Sequence, residues 1–211
     1  MLLELFGVIF GFIYLYLEIK QKQGMWLVGF LMAAVYAVVY WQQEVYASMC
    51  FQIYYVLVSI YGFLQWGKDK VSAGELGKAS AEETSGDVKL SGRSESDSSL
   101  IFYRRISIKV LLFSIIVYAV SVSFMVLVLG KYTDDPMPFA DSSITVISAI
   151  ATFWLSKSYR EQWFAWLVVN SFTVVMCARI GLYPTAVLYF VNAAASVYGY
   201  LHWKRKGVRI E

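Results

Sequence analysis

Tyr61-Gly62-Phe63-Leu64-Gln65-Trp66 returns 137 positions later as Tyr198-Gly199-Tyr200-Leu201-His202-Trp203. Carried backwards in the same register without a gap, Ser59 falls on Ser196, Tyr46 on Tyr183, Val38 on Val175 and Trp26 on Trp163. Eight of the 41 aligned positions, 26–66 against 163–203, are identical. Chance in a composition this apolar supplies about three. An internal repeat of that span means two copies of one structural unit.

The composition says what kind of unit it is. Of 211 residues, 59% are hydrophobic and 16% charged, and the mean hydropathy is +0.57. Soluble domains run near 45–50% apolar and about 25% charged. Fourteen of the 33 charged residues lie between Lys68 and Arg105, so the remainder of the chain is emptier still. This excludes an ordinary soluble globule, a nucleic-acid binder and a disordered chain, and it reads as a polytopic helical membrane protein. A single histidine, His202, and two cysteines within apolar runs, Cys50 and Cys177, offer neither a metal site nor a Ser-His-Asp triad. Neither a cofactor nor a catalytic residue is expected.

Seven apolar runs are legible: Leu2–Ile19, Trp26–Trp41, Val45–Trp66, Ile106–Leu129, Ser142–Leu155, Trp163–Ile180 and Tyr183–Trp203. In hydrocarbon each must satisfy its own backbone, so each is expected to be helical. The second and fifth fall short of the roughly 20 residues a crossing needs, so either their ends extend into the flanking loops or the bilayer is thinned there. The first run has no basic leader or cleavage site and reads as an anchor. Alternating loops carry the cations: 15 of 18 Lys and Arg fall on one side. The positive-inside rule then puts the C-terminus in the cytoplasm and the N-terminus outside, which requires an odd number of spans.

The repeat covers spans one to three and five to seven and leaves span four between them. A three-span unit ends opposite its start, so one intervening helix restores direction and makes the two copies parallel. The expected fold is therefore all-α, seven transmembrane helices in a 3+1+3 SWEET-like arrangement. Its parts are a first repeat over 1–67, a disordered cytoplasmic linker over 68–105, a connecting helix and external loop over 106–141, a second repeat over 142–203, and a basic cytoplasmic tail over 204–211. The linker reading rests on its Ser, Gly and balanced charges, which cannot bury enough surface to offset ordering.

Small and polar residues recur on one face of span three (Gln52, Tyr55, Ser59, Gly62, Trp66) and span seven (Tyr189, Asn192, Ser196, Gly199, Trp203). Such a stripe is either a packing seam between helices or the lining of a site, and a carboxamide such as Gln52 or Asn192 is costly in hydrocarbon without partners. Span six adds Trp163, Trp166, Asn170 and Thr173; the matching positions of span two are Trp26, Gly29, Ala33 and Tyr36. Span five adds Thr145, Ser148 and Thr152. Trp163 and Trp26 each begin a span and suit an interfacial belt, but Trp166 and Asn170 lie deeper than a belt reaches. Aromatic faces, amides and hydroxyls without a buried acid suit a planar aromatic ring bearing a delocalised positive charge, an attraction worth about 2 kcal/mol or more when desolvated. No acid or base lies mid-span, which favours facilitated diffusion over proton coupling.

The W-x-x-W-x-x-x-N run from Trp163 to Asn170, the paired YGxLxW endings and the 3+1+3 layout resemble the PnuC family of bacterial vitamin transporters. The resemblance implies uptake of nicotinamide riboside across the inner membrane by facilitated diffusion, trapping of the product by a cytoplasmic kinase, a homotrimer, and substrate contacts from Trp163, Trp166 and Asn170. Thiamine carriers of the same family transport another planar aromatic cation, and cation-π attraction does not separate the two. A structural membrane protein without transport is the alternative from another class.

Overall fold

The structure, a computed structural model, describes residues 2–42, 46–84, 101–132, 137–179, 181 and 183–210. Among the described residues, seven helices follow the seven apolar runs: α1 (Leu2–Ile19), α2 (Gly24–Gln42), α3 (Tyr46–Thr84), α4 (Ile108–Tyr132), α5 (Pro138–Ser156), α6 (Gln162–Arg179) and α7 (Tyr183–Lys206). The two runs that looked short become 19-residue helices by extending into their loops. Four helical stretches, Gly24–Gln42, Met49–Ser72, Ile108–Lys131 and Pro138–Ser156, are by length and composition alone able to cross a membrane among the described residues.

Two short strands add to the helices. β1 (Ile101–Tyr103) and β2 (Gly207–Arg209) pair in parallel, Ile101 opposite Gly207 and Tyr103 opposite Arg209. The chain departs from the expected disordered linker in the described parts of 68–105. The 68–105 stretch is helical as far as Thr84 and forms β1 at its far end; residues 85–100 lie outside the described residues. The expected tail from 204 continues α7 through Lys206 and then forms β2. Averaging over a charged window hides the reason. Ile101 and Phe102 are apolar, and both are buried.

The chain divides into two compact units. The first holds α1, α2, α3, both strands, residues 156–158 and the chain from His202 onward. Its core is aromatic. The Trp26 indole meets Trp66 edge-on at 5.2 Å, and Trp66 meets Phe102 at 6.2 Å and Trp203 at 6.3 Å, also edge-on. Each such pair contributes about 0.5–1.5 kcal/mol beyond its buried area. Trp66 and Trp203, equivalent in the repeat, therefore touch each other. The Trp203 indole N–H donates to the Ile19 carbonyl at 3.0 Å.

Polar ties fasten the basic end of this unit. Gln21, held at a positive φ of 50°, donates through Nε2 to the Phe102 carbonyl at 2.8 Å. Its Oε1 accepts the Phe102 N–H at 2.7 Å. Asp69, 2% exposed on the extension of α3, takes both Arg104 guanidinium nitrogens (2.6 and 3.0 Å), the Gln65 amide (2.8 Å) and the Ser158 hydroxyl (3.2 Å). The Arg104 backbone N–H donates to the Ser158 carbonyl at 2.8 Å. A buried carboxylate with four donors has the hydrogen bonding that desolvation demands.

The second unit holds α4, α5 to Leu155, the chain from Tyr159 through α6, and α7 to Leu201. α4 and α5 are joined by Tyr118 donating to Ser143 Oγ (3.0 Å) and the Trp154 indole N–H donating to Ser114 Oγ (3.1 Å). Phe164 and Tyr200 join α6 to α7 with ring centroids 4.6 Å apart, and the Arg160 guanidinium covers the Tyr200 ring at 4.9 Å. Glu161 accepts the Ile106 N–H at 3.1 Å, which ties the chain entering α4 to the start of α6.

Candidate functional site

Six of the eight candidate residues lie in the second unit: Thr152 on α5, Trp163, Trp166 and Asn170 on α6, Tyr189 and Asn192 on α7. Gln52 and Tyr55 are half-buried on α3 of the first unit. The buried face of α6 consists of Gln162, Trp163, Val169, Asn170 and Cys177, with Trp166 half-buried beside them. Trp163 is 1% exposed and Asn170 7%. The W-x-x-W-x-x-x-N run is therefore one inward stripe, about 10 Å long at 1.5 Å per residue.

Glycine positions the first tryptophan. A Cβ placed on Gly199 would come within 2.6 Å of the Trp163 indole. The same holds at the equivalent place in the first unit, where a Cβ on Gly62 would come within 2.5 Å of the Trp26 indole. Both repeats thus lay an indole against a helix that lacks a side chain there. The glycines of the stripe are packing devices.

The hydroxyls are largely consumed by their own helices. Ser148 donates to the Ile144 carbonyl (2.7 Å), Thr152 to Ser148 (2.8 Å), Thr173 to Val169 (2.9 Å) and Ser196 to Asn192 (2.8 Å). Back-bonding of this kind satisfies a hydroxyl inside an apolar helix. Thr152 is 6% exposed and keeps only acceptor capacity for a ligand.

Buried groups with capacity to spare include Trp26 Nε1 on α2, Ser142 Oγ on α5 and two residues of α6. The Trp166 Nε1 is buried and has no hydrogen-bond partner. Gln162 is 0% exposed, and neither its Oε1 nor its Nε2 has a partner. Gln162 stands one residue before the aligned stretch 163–203. The signal available there was the aligned pair Met25 and Gln162, an apolar residue in one copy and an amide in the other.

In the first unit an open groove of about 190 Å³ is lined by Trp26, Leu27, Phe30, Ser59, Ile60, Phe63 and Leu64. Leu27, Ile60, Phe63 and Leu64 are exposed, as side chains facing lipid would be. No cluster of His, Cys, Asp and Glu able to hold a metal occurs among the described residues. Cys50 is exposed and Cys177 buried, and they are not joined.

Comparison with known proteins gives concordant results. A family model described as nicotinamide mononucleotide transporter matches residues 1–205. The nicotinamide riboside transporter PnuC of Escherichia coli is 21% identical over 210 residues, covering 95% of this chain and 84% of its own length. The protein of the same name from Neisseria mucosa is 25% identical over 193 residues, covering 88% of this chain and 65% of its own. A crystal structure of the vitamin B3 transporter PnuC shares the fold, with a TM-score of 0.63 at 22% identity over 94% of this chain and 78% of that one.

Proposed function

Because this chain belongs to the nicotinamide mononucleotide transporter family, we propose that it is a multi-pass inner-membrane transporter that takes up nicotinamide riboside. Its mechanism is facilitated diffusion, with the product trapped by phosphorylation in the cytoplasm. The observation that carries the substrate is the inward stripe of α6. Trp163, Trp166 and Asn170 offer two indole faces and a carboxamide where the first repeat has Trp26, Gly29 and Ala33. One copy has kept the packing tryptophan and the other has gained a binding face. Indole faces attract the pyridinium ring. Within the second unit, Asn170, with Tyr189 and Asn192 on α7, supplies hydrogen bonds to ribose and carboxamide.

The riboside is favoured over the mononucleotide by charge. From Gln162 to Ala178 α6 contains no Lys or Arg, and neither does α7 from Tyr183 to Trp203. A phosphate carried through these helices would find no charge-assisted partner. The 3+1+3 arrangement is supported by the repeat and by the matched indole-on-glycine contacts at Gly62 and Gly199. The one-sided distribution of cations supports a cytoplasmic C-terminus and an external N-terminus. A homotrimer completes the proposal and is checked by the mass of the detergent-solubilised particle.

Calorimetric titration of the purified protein with nicotinamide riboside, nicotinamide mononucleotide and thiamine tests the reading. Binding of the riboside with silence from the other two is the expected result. Binding of thiamine alone would move the substrate to the other vitamin. Silence from all three would return the α6 stripe to a packing role.

A further inference from the structure

We propose that Gln162 is a specificity-determining residue that contacts the substrate and reads the primary carboxamide of its ring, with the Trp166 N–H as a second donor. The inference rests on the nicotinamide riboside reading above. Gln162 is wholly buried with both polar atoms of its side chain unpaired, although an amide held away from water is unfavourable unless it is hydrogen-bonded. Packing does not ask for an amide there. The equivalent position of the first repeat is Met25, also 0% exposed, so a methionine of similar length fills the corresponding niche.

The second unpaired group stands on the same face. Trp166 is four residues further along α6, so its side chain neighbours that of Gln162, and its indole N–H is also without a partner. Together they present one acceptor and two kinds of donor. A primary carboxamide is the complement: its NH2 donates to Gln162 Oε1, and its carbonyl accepts from Gln162 Nε2 or Trp166 Nε1. Gln162 opens α6 and Asn170 lies two turns deeper, a separation of about 12 Å along the axis. A nucleoside-sized ligand spans that distance, with its ring substituent at the Gln162 end and its sugar towards Asn170.

The test compares Gln162→Met with the unaltered protein, using nicotinamide riboside and the same riboside with a hydrogen in place of the carboxamide. Gln162→Met installs the residue of the first repeat, so it should fold and melt at or above the parent temperature. Binding of nicotinamide riboside should weaken by roughly tenfold to a hundredfold, while the carboxamide-free riboside binds both proteins alike. Trp166→Phe keeps an aromatic face and removes the N–H, and it should reduce the preference for the carboxamide by a smaller factor. Unchanged binding of nicotinamide riboside by Gln162→Met, or an equal loss for both ligands, overturns the proposal. If the unaltered protein binds neither riboside, the transport reading fails and this inference falls with it, an outcome distinct from a variant that binds normally.

Discussion

Gly62 and Gly199 show how a single absent methyl shapes both repeats. Each gives an indole room to lie against the helix, so alanine at either position forces Trp26 or Trp163 to move. Overpacking of this kind costs about 1–3 kcal/mol. Gly62→Ala and Gly199→Ala should therefore lower the melting temperature in detergent by similar amounts. Only Gly199→Ala should also weaken substrate binding, because Trp163 belongs to the α6 stripe and Trp26 does not. Equal effects of the two variants on affinity would count against Trp163 as a ligand. Deeper on the same face, Trp166→Ala and Asn170→Ala should abolish binding while leaving membrane insertion and expression intact, and a matching loss of expression would make them structural. The sequence showed which residues share this face, because position along a helix determines it. It did not show which polar groups are already engaged. That depends on side-chain torsions: Thr152, Thr173 and Ser196 turn their hydroxyls back onto carbonyls four residues earlier, while Gln162 and Trp166 find no such partner.

At the level of elements, the helices were legible because hydrocarbon leaves a chain one means of pairing its backbone, and apolar length then marks each span. The run Leu2–Ile19 coincides with α1, and Tyr183 begins α7 as it begins the seventh run. The strands and the extension of α3 were not legible. Their support comes from partners far away in the chain: Asp69 and Arg104 are 35 positions apart, Asp69 and Ser158 are 89, and Gln21 and Phe102 are 81. No local window contains such a pair. The Asp69–Arg104 pair is consequently the place where this part of the fold is most vulnerable. Asp69 is nearly inaccessible and Arg104 only partly exposed, so removing one partner leaves the other's charge uncompensated. Asp69→Ala should destabilise the protein by about 3–5 kcal/mol, read as a lower melting temperature in detergent. Arg104→Ala should do the same, and the double variant should cost well under the sum of the two. Additive losses would show that the two side chains do not act as a pair.

Across the whole molecule, the repeat and the position of charge carry the argument about mechanism. Two copies that share two tryptophans, a glycine and a serine differ on the faces of α2 and α6, where the second copy bears Trp166 and Asn170 opposite Gly29 and Ala33. Charge, in contrast, has been kept out of the middle of the spans in both, Glu4 and Glu18 standing near the two ends of α1. No Asp, Glu, Lys or Arg occurs from Met25 to Trp41, from Tyr46 to Gly67, from Val110 to Gly130, from Ser142 to Ser156, from Gln162 to Ala178 or from Tyr183 to Trp203. The charged residues that are buried, Glu18, Asp69 and Arg160, stand at the ends of spans or beyond them. A carrier that couples its cargo to protons needs a group that loads and unloads a proton within the membrane, and such a group is ordinarily an ionisable side chain in a span. The absence of such a group from these stretches supports the proposed facilitated diffusion, in which the gradient of the substrate itself is the driving force, maintained by whatever consumes the substrate inside. The initial rate of nicotinamide riboside uptake into vesicles should then be the same with the proton gradient intact or collapsed by an uncoupler, and it should reverse direction when the substrate gradient is reversed. A rate that falls severalfold on collapse would require a proton-carrying group near a span end, and Glu18, Asp141 and Glu161 would be the residues to substitute first.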